Sequence, residues 1–228
     1  MKQLHDPAGA GFAIVFAWAS LLAVPAFAAP RGQVSLYGLR QTPSGQDATR
    51  YSRGGWGGGL RGLLTVPATK HVLALAGGFE VANLLSETVE FRDPKTQLRV
   101  EQQTSQHHAR FFLGPEIGGH SDGFFRPHLG VNLALNLYDF GVDVVVPDDV
   151  NRENEIRQHL RGDTDAAFGY DFALGADLNF GKWYVEGGAK FTKTFNLPQT
   201  LGEGSVSISP GYAVAHLGVG LNFPLEPR

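Results

Sequence analysis

Apolar and polar residues alternate for about twenty positions in FALGADLNFGKWYVEGGAKF, residues 172–191, with a break only at Gly181. Phe172, Leu174, Ala176, Leu178 and Phe180 share one register, and Ala173, Gly175, Asp177 and Asn179 share the other. After the glycine the polar register continues through Lys182, Tyr184, Glu186, Gly188 and Lys190. A period of two marks strands with unlike faces. The same alternation recurs after residue 30 between turn residues and predicts eight strands, near 32–41, 53–66, 70–88, 97–118, 124–143, 164–180, 182–196 and 207–223. No helical period competes along the chain, although NRENEIRQHLR (151–161) could form a short helical turn within a loop.

The connections alternate in kind. Strands two and three, four and five, and six and seven are joined tightly by PATK, GHSDG and Gly181-Lys182. TPSGQDATRYS, VVPDDVNRENEIRQHLRGD and LPQTLGEGSVS are long and polar by contrast. The third and fourth strands meet at Asp93-Pro94-Lys95, but their outer parts, SETVEF and TQLRVEQQ, are too polar for a core or for lipid. That hairpin is expected to project beyond the body of the protein. Short turns then gather at one end and long loops at the other.

Strand parity identifies the two faces. Bulky residues such as Leu129, Val131, Leu133, Leu135 and Leu137 oppose His128, Gly130, Asn132 and Asn136. Leu73, Leu75, Phe79 and Val81 likewise oppose Ala74, Ala76, Gly78 and Glu80. The second strand is the exception, with Leu63 on the polar side and Gly62 on the apolar one. The apolar face stays nearly free of charge over about nine residues per strand, enough for a tilted strand to cross hydrocarbon. The polar face mixes small residues with Arg61, Glu80, Arg110, Glu116, Asp171, Asp177, Glu186 and Lys190. An eight-stranded barrel encloses only enough space for side chains, so this composition suits its interior. The expected fold is all-β, an eight-stranded antiparallel up-and-down transmembrane β-barrel. Trp56, Phe125, Phe168, Tyr170, Phe180, Trp183 and Phe195 lie near strand ends, as aromatic girdles do.

Composition narrows the chemistry. The net charge of −3 offers no electrostatic case for nucleic acid, and the absence of cysteine excludes disulfides, thiolate metal sites and a Cys-linked lipid anchor. Lys2, the apolar run from Gly11 to Val24, Pro25 and Ala26-Phe27-Ala28 form the pattern of a secretory signal peptide. The expected division is a cleaved signal at 1–28, a barrel over 29–223 and a short periplasmic tail at 224–228.

The eight inward charges are the candidate site, expected to pair across the lumen as a structural plug, with a gated ion or solute path as the sharper alternative. Adjacent His107 and His108 point to opposite strand faces and do not form a joint metal site. His120, Ser121 and Asp122 match a catalytic triad in composition only, since three consecutive turn residues cannot align as one. The acids of PDDVNRENEIRQHLRGDTD lack calcium-loop spacing, and the RGD at 161–163 is a short string that carries no weight. No metal, cofactor or catalytic residue is expected.

The segment HLGVGLNF, 216–223, carries His216, Gly218, Leu221 and a final aromatic, Phe223. It resembles the recognition segment of Gram-negative outer-membrane barrels, although PLEPR follows the aromatic here. With the signal peptide and eight strands, the mature chain resembles the small outer-membrane barrel group, the OmpA/OmpX/OmpW-type and porin-family proteins. The likeness is architectural and transfers no functional residue. It implies an outer-membrane location, contact with membrane lipids and lipopolysaccharide, and reading of the last strand by the assembly machinery. Its functional range covers structural elements, narrow pores and lipid-modifying enzymes. A soluble periplasmic barrel holding an apolar ligand is a further alternative.

Overall fold

The computed structural model describes residues 31–119, 123–146, 156–201 and 204–224. The expected signal peptide, the His120-Ser121-Asp122 turn and the tail beyond Pro224 lie outside the described residues. Eight long strands close into one antiparallel barrel: β1 (Arg31–Ser44), β2 (Gly55–Thr65), β3 (Leu73–Arg92), β4 (Arg99–Gly118), β5 (Phe125–Val146), β6 (Ile156–Phe180), β7 (Trp183–Thr194) and β10 (Gly211–Pro224). Neighbours in sequence are neighbours in the sheet, and β1 closes the ring by pairing with both β2 and β10. A second hairpin, β8 (Leu197–Leu201) and β9 (Gly204–Ile208), occupies the connection between β7 and β10.

Parity governs burial as the alternation predicts. On β5, Arg126, His128, Asn132, Ala134, Asn136 and Tyr138 are buried, whereas Leu129, Val131 and Leu133 are exposed on the outside. Leu63 follows its parity and not its chemistry, and it packs inside the barrel with Ala74 and Ala76. Aromatic side chains form two outward groups, with Trp56, Phe168 and Phe195 toward the long-loop end and Phe125, Phe180 and Trp183 toward the short-turn end.

Three connections depart from the loops read in the sequence. The first contains a short helix, α1 (Gln46–Tyr51). Residues 156–163 of the expected loop before residue 164 are strand, because β6 begins at Ile156 and pairs there with Val146 of β5, while residues 147–155 lie outside the described residues. Residues 156–161 are therefore extended and not helical, and the RGD tripeptide falls on β6. Polar composition disguised this extension, since strand pairing satisfies the backbone whatever the side chains are. The last long connection is the β8–β9 hairpin.

The outer parts of β3, β4, β5 and β6 stand beyond the barrel as a four-stranded wall with two unlike faces. A bulge in β3 shifts the register between Asn83 and Leu85, so that Val89 and Phe91 share a face with Gln102 and Val100 of β4. Val142 and Val144 of β5 continue this face, which is the lumen side, while Glu90, Glu101 and Asp143 occupy the other. Glu90 directly opposes Glu101, and Arg99 bridges them at 2.7 and 3.0 Å. At the hairpin tip the Lys95 amide donates to Asp93 Oδ1 at 2.7 Å, which holds that carboxyl below its ordinary pKa.

Candidate functional site

All eight charges assigned to the lumen are buried inside the barrel, in two layers. The layer nearer the short turns centres on Arg61 of β2, which bonds Glu116 of β4 and reaches Glu186 of β7 at 3.0 Å. Asp177 of β6 stands directly opposite Glu186, a repulsive arrangement unless cations intervene. Arg126 of β5 supplies one, bonding Asp177 at 2.8 Å and Glu116 at 2.9 Å. His128 lies between the same two acids, with ring nitrogens 3.5 Å from Glu116 and 3.4 Å from Asp177. Ser35 donates to Glu186 at 2.9 Å.

The second layer lies one step along the barrel. Arg110 of β4 bonds Asp171 of β6 and approaches Glu80 of β3 at 3.2 Å. Lys190 of β7 also bonds Glu80. Tyr37 donates to that carboxylate at 2.6 Å, and Asn132 donates to Asp171 at 2.7 Å. Lys190 and Glu80 sit on strands four places apart in either direction round the ring of eight, so their contact spans the full lumen. A bond across the whole diameter leaves no open path beside it on that line. Glycines make room for the bulky inner rings: a Cβ at Gly59 would lie 2.6 Å from the Tyr37 ring, and one at Gly220 would lie 2.3 Å from the Tyr184 ring.

Above the ions comes a layer of rings and amides. His108 stacks on Tyr138 at 4.5 Å and on Tyr212 at 5.8 Å, and its ring nitrogens meet Gln41 and Asn136 at 3.1 and 3.2 Å. His107, next in sequence, is exposed on the opposite face, as strand geometry requires. An apolar cap follows, in which Leu39, Leu84 and Val214 from the barrel pack with Ala48 of α1 and Leu197 of β8. The Ser209 amide donates to Asp47 at 2.9 Å and ties the two capping connections together. At the opposite end a cavity of about 510 Å³ is lined by Gln33, Thr65, Asn179, Lys182 and Asn222, among others. No charged residue of the two ionic layers lines it.

Sequence parity identified the eight charges but missed Arg126, a central member of the first layer. Arg126 shares its parity with His128 and Asn132, so extending the alternation two residues toward the turn would have found it. Tyr37, Ser35 and His128 were also missed as network members, because hydroxyls and imidazole do not stand out among glycines and asparagines. The segment 216–223 lies on β10, with Leu217, Val219, Leu221 and Phe223 outward.

No family model and no curated protein matches the chain. Among solved structures, Neisserial surface protein A is 10% identical and covers 85% of this chain and 97% of its own, with a TM-score of 0.50. A major outer membrane protein from Thermus thermophilus is also 10% identical, covering 84% of this chain and 99% of its own at a TM-score of 0.50. Closed ring, apolar outside and charged inside together give this chain the fold of the small eight-stranded outer-membrane β-barrels.

Proposed function

We propose that the protein is an integral outer-membrane barrel acting as a non-enzymatic structural element with a closed lumen. The carrying observation is the filled interior, in which two ionic layers, a ring layer and an apolar cap succeed one another. Buried charges in pairs hold a rigid wall, whereas a conducting path needs hydrated ones. A soluble barrel would place its bulky apolar residues inside, and here Leu36, Leu129, Leu133, Leu174 and Leu217 all face out. The long-loop end is read as extracellular and the short-turn end as periplasmic.

Membrane lipids and lipopolysaccharide are the proposed surroundings of the apolar face. The assembly machinery is the proposed reader of β10 through His216, Gly218, Leu221 and Phe223. Two measurements test the proposal. The protein should fractionate with outer membranes, and the purified barrel should show no sustained single-channel conductance in planar bilayers. Recovery in the soluble periplasm would overturn the membrane reading, and stable conductance steps would overturn the closed lumen.

A further inference from the structure

At the short-turn mouth of the barrel, three side-chain amides form a series whose direction the backbone fixes. Asn179 Nδ2 donates to the Gly123 carbonyl at 2.9 Å, and Asn222 Nδ2 donates to the Gly181 carbonyl at 3.0 Å. A carbonyl oxygen only accepts, so each asparagine must present its amino group there. Asn179 Oδ1 therefore accepts from Asn222 at 3.2 Å, and Asn222 Oδ1 accepts from Gln33 Nε2 at 2.7 Å. The series runs one way and ends on Gln33 Oε1. Gln33 is 4% exposed, and that oxygen has no hydrogen-bond donor among the described residues. A buried acceptor without a donor is costly, and the remedy here is a donor from outside the chain.

Gln33, Asn179 and Asn222 all line the cavity of about 510 Å³ at this mouth. Small-ligand sites occupy about 300–1,000 Å³, so the space suits a molecule of one ring. Asn222 also fixes the cation of the site. Its backbone amide donates to the Lys182 carbonyl at 2.8 Å while its side chain holds the Gly181 carbonyl, so the Gly181-Lys182 turn is clamped twice. Gly181 takes the left-handed φ of 79° that this turn needs. Lys182 is thereby held at the cavity wall, and no carboxylate among the described residues pairs with it. Phe124 and Phe223 add exposed apolar rings to the lining. A matching ligand gives a hydroxyl to Gln33, sets an anion against Lys182 and lays an apolar ring face on a phenylalanine. A carboxylated sugar carries all three on one ring.

We propose that the short-turn mouth is a binding site for a single free sugar acid of the hexuronate class. One hydroxyl donates to Gln33 Oε1, the carboxylate meets Lys182 Nζ, and the ring lies against Phe124 or Phe223. Ser35, the next inward residue of β1, already belongs to the first ionic layer through Glu186, so the ligand is held at the mouth and not passed through. The site goes beyond the structural role proposed above and is compatible with a closed lumen.

Saturation-transfer NMR on the purified, folded barrel in micelles of a sugar-free detergent tests this, with glucuronate, glucose and acetate as the titrated probes. Glucuronate should bind about tenfold more tightly than glucose, since one charge-assisted contact separates them, and more tightly than acetate, which has no hydroxyl for Gln33. Lys182→Gln should bring glucuronate down to the affinity of glucose and leave glucose unchanged. Gln33→Leu should weaken both sugars by about fivefold, as loss of one neutral hydrogen bond implies. Lys95→Gln at the tip of the projecting hairpin should alter neither. No transfer to glucuronate, acetate bound as tightly as glucuronate, or binding indifferent to both site variants would overturn the site. A heat-dependent shift in gel mobility shows independently that each variant is a folded barrel. Lys182 is exposed on its turn, so Lys182→Gln decides the matter even where Gln33→Leu fails to fold.

Discussion

Arg126 shows how one side chain becomes indispensable in a lumen of this kind. It is fully buried and is the arginine that joins Glu116 to Asp177. Arg126→Met should destabilise the barrel by about 3–5 kcal/mol, because two buried carboxylates lose a cation at once. Arg126→Met combined with Asp177→Leu should recover part of that loss, since fewer unpaired charges remain. Urea unfolding in lipid vesicles measures both, and equal stability of the single and double variants would contradict the pairing. Arg126 stood at the start of a strand beside Phe125 and Pro127, where the alternation was being set and gave it no context. The other arginines were read from the middle of strands, where parity is already fixed on both sides.

At the scale of the strand, the decisive property is which face meets lipid. Leu133 is 67% exposed near the middle of β5, while its neighbours Asn132 and Asn136 are buried inside. Leu133→Arg should cost about 2–4 kcal/mol in lipid vesicles, because it sets a charge on the lipid face near the middle of the strand. A Leu133→Arg variant as stable as its parent would reverse the assignment of faces. β10 invites a different measurement, because its role is proposed in assembly. Phe223→Ala should lower the fraction of protein reaching the heat-modifiable, outer-membrane form, with little change in stability once folded. Unchanged assembly would separate this ending from the recognition segment it resembles. The eight strands were legible because lipid and lumen enforce opposite chemistries on alternate residues. The wall formed by β3–β6 was only half legible, because beyond the membrane its outer face obeys no such demand.

For the molecule as a whole, closure is redundant. The apolar cap depends on α1 and on the β8–β9 hairpin, but the ionic layers beneath it are held by the barrel strands alone. Replacing residues 197–208 with a short Gly-Ser turn should therefore leave the barrel non-conducting in planar bilayers. Conductance appearing on removal of the hairpin would place the barrier in the cap and not in the lumen. The apolar cap and the two ionic layers stand in series along the lumen, so removal of the cap still leaves the ionic layers in place.

By itself the sequence determined the number of barrel strands, the two faces and the residues that must avoid lipid, because a period of two is a local property that each strand declares independently. Which charge meets which was decided only by the closed ring. Glu80 and Lys190 are 110 residues apart and on opposite sides of the barrel, and no local pattern relates them. Circumference, register and the reach of each side chain select the partners once the eighth strand returns to the first. The connections were decided there as well, since α1 and the β8–β9 hairpin find their apolar contacts in a mouth that exists only after closure.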